Sequence, residues 1–434
     1  MSKFTSATIA ALLLSSSTYA FAQVADRSYY GSATVSSPGS GQFFVRDRYT
    51  AANARSYQGL DPVPIRVGAF EAQPVLLISA RSRSNVLLDD VNEQSDTLIV
   101  VRPSISAATT WTRHRIGFDA SVTQEEYLDL SDQSATQYGL RGFGQLDVSS
   151  NFAVAGSVMT QNLRESRIDI GGTSNPSERV EIDRNTAEAN ALYSANRLRV
   201  RGQVSVSDND YNDTPLQGGG FIDQDVRDNQ ETQIGVGAEY AVTRNWALVG
   251  AVSHVDRDYD PVPPLSGLLD RDISGVTFRA GANFELPVNL RGQVSAQFQD
   301  FDPADPALSN IQQTGLNASV QWFPTQLTTA QFTASQSVAD AGNTNDANAI
   351  VTRYGANVDH ELLRSLVLSS GMYFETREFN PSNREDEQTS FNVGATWKMN
   401  SNIHVRGGYR FVTQDSLFDP FDDNVFTLSV RFFP

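Results

Sequence analysis

The chain has 434 residues, with 33 Lys and Arg against 50 Asp and Glu, for a formal net charge of -17. Cysteine is absent, which excludes disulfides, thiolate metal sites and a Cys nucleophile, and an acidic total without a basic patch argues against nucleic-acid binding. The length would suit two or three soluble domains, yet the apolar residues rarely cluster, so stability must come from backbone pairing on a large scale.

The N-terminus reads MSKFTSATIAALLLSSSTYAFAQ: Lys3, an apolar run through Leu12, Leu13 and Leu14, then the small-x-small site Ala20-Phe21-Ala22. That order predicts a secretory signal peptide over residues 1–22, with Gln23 first after cleavage and no nearby Cys to carry a lipid. No later segment offers about 18 consecutive apolar residues, which excludes a helical span. Residues 23–68, with SSPGSGQ and GLDPVP, are rich in Ser, Gly, Ala and Pro and show no sustained period. They predict a periplasmic N-terminal arm, linker or plug.

From about residue 69 to residue 434 the rhythm has period two. In LRVRGQVSVS, Leu198, Val200, Gly202, Val204 and Val206 alternate with Arg199, Arg201, Gln203, Ser205 and Ser207. GVTFRAGANFE and LRGQVSAQFQ repeat the pattern, with Val276, Phe278 and Phe284 or Leu290, Val294 and Phe298 on one parity. Such segments are strands with two unlike faces. Their connections take turns between short (149–151, 194–197, 242–245, 287–289, 324–326, 400–402) and long and polar (208–229, 257–272, 338–348, 414–423). Short turns on one rim and long loops on the other predict an all-β fold, a transmembrane antiparallel up-and-down β-barrel. It would have about 18 strands of about 10 residues, or 16 strands on the lower count. A propeller or solenoid would instead require a motif recurring at fixed period, and none is present.

The last strand, DDNVFTLSVRFFP, puts Phe426, Leu428, Val430 and Phe432 on one face, which resembles the C-terminal signal read by the barrel assembly machinery. If the apolar parity meets lipid, the opposite parity meets the lumen, because an outward arginine near the midplane costs about 2–4 kcal/mol. By that parity Arg115, Arg141, Arg199, Arg201, Arg279, Arg291, Arg353, Arg406, Arg410 and Arg431 face inward, as do Asp119, Asp147, Glu239, Glu285, Asp359 and Glu375. Two consequences stay open: the ions pair across the lumen and hold its shape, or surplus arginine favours anions in a wet passage. The acidic excess sits in the long loops, at Asp208, Asp210, Asp213, Asp223 and Asp225 among others. Solvated loops are the expected reading, over divalent-cation binding.

Catalysis finds little support. There is no G-x-S-x-G, and His360-Glu361 lacks a second His four positions on. His114 falls in a predicted turn, and Ser253 and His254 are adjacent on a strand and so face opposite ways. No enzyme, cofactor or metal is expected.

The segment from Arg83 to Tyr127 resembles the start of the beta-barrel porin 2 family. The resemblance is carried by Asn85-Val86 in an acidic first loop, Ser95-Asp96-Thr97 entering a strand that runs to Pro103, and the turn Trp111-Thr112-Arg113-His114. It implies an outer-membrane exit for a surface or secreted polysaccharide, working beside periplasmic polysaccharide-export proteins. A general or anion-preferring diffusion porin and a blocked structural barrel are the alternatives. Location is expected in the outer membrane of a Gram-negative bacterium, with both termini periplasmic and with outer-membrane lipid and lipopolysaccharide as surroundings. No outward patch demands a three-chain assembly, so the oligomeric state stays open.

Overall fold

The computed structural model describes residues 50–434 except 166, 168–176, 217–218, 261–268, 342–345 and 418–419. The predicted signal peptide, residues 1–22, and residues 23–49 of the arm lie outside the described residues. Each period-two segment is a strand. In chain order they are β1 (Phe70–Arg83), β2 (Asp96–Thr109), β3 (Arg115–Tyr127), β4 (Ala135–Asp147), β5 (Phe152–Arg164) and β6 (Glu181–Ala195). The next six are β7 (Leu198–Tyr211), β8 (Asn229–Ala241), β9 (Trp246–Tyr259), β10 (Ile273–Leu286), β11 (Leu290–Pro303) and β12 (Ile311–Thr325). The last six are β13 (Thr328–Asp340), β14 (Asn348–Leu363), β15 (Leu366–Asn380), β16 (Glu385–Lys398), β17 (Ile403–Ser416) and β18 (Phe421–Phe432).

Each strand pairs antiparallel with its sequence neighbours, and β1 closes on β18 from Leu76 opposite Phe432 to Arg83 opposite Val425. The result is a closed 18-stranded antiparallel barrel. Closure removes the free edges that lipid could not satisfy. Short connections such as 196–197 and 287–289 gather on one rim, where Asn196 and Asn289 adopt positive φ of 51° and 60°. Asn tolerates that left-handed backbone at a tight hairpin. The long connections lie on the other rim, and both ends of the barrel chain lie on the short-turn rim.

The strands are longer than the expected length of about 10 residues: they run from 12 residues in β18 to 16 in β14. Pairing therefore continues into segments expected as loops, with β7 reaching Tyr211, β9 Tyr259 and β17 Ser416. The extensions are polar because they stand above the apolar belt, where alternation no longer serves to separate lipid from water.

Outward side chains form that belt. Ile116, Leu140, Val158, Phe278, Met372 and Leu428 are among the large exposed hydrophobics. All four Trp cluster at the short-turn rim: Trp111 in a turn, and Trp246, Trp322 and Trp397 near strand ends, each exposed. Amphipathic rings at that level form an interfacial girdle. Apolar packing on the inner face gathers toward the long-loop rim. There Val86 packs with Leu98, Val100 and Tyr127, and Ile273 with Phe301, Ile311 and Val338.

Candidate functional site

The inner wall is the candidate site, and the strand register determines which side chains form it. Arg115 and Arg141 alternate with exposed Ile116 and Leu140, Arg279 with exposed Phe278, and Arg353 with exposed Tyr354. Arg199 and Arg201 lie opposite Glu239 and Gly237 of β8, on the face away from exposed Leu198 and Val204. Arg291 stands on the parity opposite exposed Val294 and Phe298. Arg406, Arg410 and Arg431 lie on the face opposite Tyr409, Phe426 and Phe432, whose outer side carries the ring contact of Tyr409 with Phe426 at 4.9 Å. Phe426 and Leu428 are about 60% and 59% exposed on the outer face, with Val430 and Phe432 on the same parity.

Several wall arginines contact groups on neighbouring strands. Arg141 reaches Asp119 at 4.0 Å from β4 to β3, and Arg353 pairs with Glu375 from β14 to β15. Glu375 also accepts from Arg377 at 2.7 Å, so one carboxylate holds two guanidiniums. A strand spacing of about 5 Å lets long side chains on one face meet laterally. Arg279 donates to Gln297 at 3.2 Å and Arg291 to Gln321 at 2.9 Å. Arg431 lies within electrostatic reach of Arg406 and Arg102, and Arg406 within reach of Asp359.

Aromatic rings share this face. Phe143 lies directly opposite Gly117, with the Arg115 and Arg141 guanidiniums 5.9 and 5.4 Å from its centroid. A Cβ on Gly117 would stand 2.3 Å from the Phe143 ring, so only glycine leaves room for it there. Phe301 over Gly275 repeats the arrangement.

At the long-loop rim the first loop folds onto the inner face. Asn85 and Val86 are buried, and Arg83 donates to Asp423 at 2.6 and 2.9 Å across the β1–β18 seam. Glu165 and Arg227, from two different loops, form a buried pair at 2.7 Å, with the guanidinium 4.3 Å from the Tyr211 ring. Burial, with Arg179 and Arg83 nearby, pushes Arg167 down to about 10. Among the loop carboxylates, those of Asp213, Asp223 and Asp225 come together, all exposed. Asp213 and Asp223 accept backbone N–H groups of Gln224 and Asp225.

The histidines are dispersed. His114 turns at φ 63° and its Nδ1 accepts from the Asp147 N–H at 3.2 Å. His254 is exposed opposite Ile234, His360 bonds Thr328 at 3.0 Å, and His404 meets the arm. No two of them share a site.

Sequence reasoning missed two groups. Arg102 is inward and buried, but it follows the unbroken run Leu98 to Val101, where inner and outer residues are equally apolar and parity is silent. The second group is the set of wall residues that hold residues 50–61, namely Thr329, Glu361, Lys398 and His404. No periodic signal links residues about 300 positions apart.

A family model described as Putative beta-barrel porin 2 matches residues 58–433. The chain belongs to that family. This beta-barrel porin 2 member is an outer-membrane β-barrel with a porin-like architecture, and the family implies the Gram-negative outer membrane. No curated protein matches the sequence. Similar solved structures include a BenF-like porin from Pseudomonas fluorescens Pf-5, at 11% identity, 85% of this chain, 100% of that chain and a TM-score of 0.48. Acinetobacter baumannii OccAB2 is similar at 10% identity, 85% and 98% coverage and a TM-score of 0.47. Pseudomonas aeruginosa OpdO is similar at 13% identity, 85% and 98% coverage and a TM-score of 0.45.

Proposed function

We propose that the barrel is a non-catalytic, anion-preferring channel, oriented with its short-turn rim and both termini toward the periplasm. The observation that carries this reading is the partnering of the wall arginines. Arg291 donates to the neutral Gln321 amide oxygen, with the Glu285 carboxylate directly opposite it in register. Arg431 stands near two further arginines, Arg406 and Arg102. Positive charge thus gathers on the wall around Arg431, as in pores that admit anions. Gln321, half-buried on the same face, supplies a neutral hydrogen-bonding group that a hydrated solute can exchange with water. Dispersed histidines without a shared nucleophile support transport over hydrolysis.

The narrower reading is an exit for a surface polysaccharide beside periplasmic export proteins. It rests on family resemblance, and the same spaced contacts would serve an acidic polymer. Single-channel conductance of the purified protein under a salt gradient tests the channel: a reversal potential on the anion side is expected, and a cation-side value overturns the preference. Deleting the gene and following surface polysaccharide against small-anion uptake separates the two cargoes. Loss of polymer with intact uptake supports export, and the reverse supports the diffusion porin.

A further inference from the structure

Residues 50–61 lie against the inner wall at the short-turn rim. A short 3-10 turn, Ala52–Ala54, opens the segment. The Ala52 N–H donates to Thr329 Oγ1 of β13 at 2.9 Å, and Asn53 Nδ2 donates to Asp359 Oδ2 of β14 at 2.8 Å. Farther on, Tyr57 O–H donates to Glu361 Oε1 at 2.5 Å and Arg55 stands 3.5 Å from the other oxygen of that carboxylate. Lys398 of β16 donates to the Arg55 carbonyl at 3.2 Å and pairs with Asp61 at 2.8 Å. His404 Nε2–H of β17 donates to the Leu60 carbonyl at 2.8 Å. The partners Thr329, Asp359, Glu361, Lys398 and His404 stand on the strand parity opposite exposed Phe332, Val358 and Trp397, which places the segment inside the barrel.

Its position and its bonding differ from those of a permanent plug. From β1 it runs back past β17, β16 and β14 to β13, an arc along one side of the mouth. Ala52 is its sole buried hydrophobic residue, and every other contact named above is polar or ionic. Water can replace polar contacts at small net cost, whereas apolar packing would hold the segment in place. A hairpin tethers it, with Ile65–Val67 paired to Phe70–Ala72 of β1 and Gly68 at φ 62° in the turn. Val63 and Pro64, between tether and segment, are exposed. Released, the segment would stay attached at the rim.

We propose that residues 51–61 are a displaceable strap that narrows the short-turn mouth, latched by Lys398 to Asp61 and by Glu361 to Tyr57 and Arg55. The inference rests on the channel reading above. Because the chain has no Cys, the double variant N53C/D359C carries one defined thiol pair where strap and wall side chains touch. The experiment is single-channel recording of the full mature protein, oxidised and then reduced, with K398Q recorded beside it. Heat-modifiable gel migration establishes that each variant is a folded barrel. The disulfide is expected to form and to hold the channel at a lower conductance, which reduction raises severalfold. K398Q is expected to favour the higher level without any thiol. Failure of the two cysteines to join in folded protein, either as a disulfide or through a short bis-thiol-reactive linker that spans the gap between their Cβ atoms, overturns the seated strap. Conductance unchanged between oxidised and reduced protein overturns the narrowing while leaving the channel reading intact. Absence of conductance in every variant overturns both.

Discussion

At the scale of single residues, the arginine parity separates two environments one residue apart. Arg406 and Arg410 stand inside while Tyr409 between them meets the outer face, its ring tilted against Phe426. The sign of the wall should therefore follow these side chains. Changing both Arg406 and Arg410 to Glu replaces two positive charges with two negative ones, the first near Asp359, and the reversal potential in a salt gradient is expected to move toward cations. An unchanged potential would mean that ions do not pass this wall. Parity was legible in the sequence because lipid on one side and water on the other impose opposite chemistry at every second position. It was illegible at Arg102, where Leu98 and Val100 are apolar because they pack beneath Val86 inside the barrel, not because they meet lipid.

At the scale of elements, strand order and turn alternation followed from pattern alone, whereas strand ends did not. β7 continues through Asp208, Asp210 and Tyr211, residues whose polarity reads as loop, because pairing with β6 and β8 persists above the membrane. Inside the strands, glycine works as a socket for a neighbouring ring. Gly117→Ala would set a carbon 2.3 Å from Phe143 and 2.6 Å from the Ala107 carbonyl, whereas Gly202→Ala meets nothing within 4 Å. The first should cost about 1–3 kcal/mol of stability in urea titrations of the vesicle-inserted barrel, and the second should be near neutral. Equal midpoints would deny the socket.

A loop element has its own pH dependence. Burial pushes the Asp228 carboxyl up to about 6, against the hydrogen bond it accepts from the Tyr211 N–H, with Asp210, Asp225 and Asp260 adding to the rise. The fold thus holds the proton more tightly than the unfolded chain, whose value is near 3.8. The associated stabilisation is full below that lower value and is lost as pH rises through about 6. Hydrogen-exchange protection of Tyr211, corrected for intrinsic rate, is expected to fall across that range in the native protein and to stay flat in Asp228→Asn. A flat native profile would place Asp228 in water.

At the scale of the whole molecule, closure is the dominant energetic fact. β1 and β18 satisfy each other's backbone over eight register pairs, from Leu76 with Phe432 to Arg83 with Val425, and lipid supplies no substitute. The outer face of β18 is therefore where assembly should be most sensitive. Phe432→Asp is expected to lower the yield of folded, heat-modifiable protein in membranes, and normal yield would count against a role for this strand in assembly. The barrel was readable from the sequence because the wall from β1 to β18 obeys one repeating rule. The docked arm was not, since its contacts obey no period.

The seam has a temporal consequence. Arg83 and Asp423 are 340 positions apart, and Ala52 and Thr329 are 277 apart, so the segment at the beginning of the described chain finds its partners only among strands that emerge near the end. Contacts between neighbouring strands can form progressively, but these must wait until the late hairpins exist. The N-terminal segment is thus a completion marker: its seating against β13 to β17 reports that the ring behind it has been built.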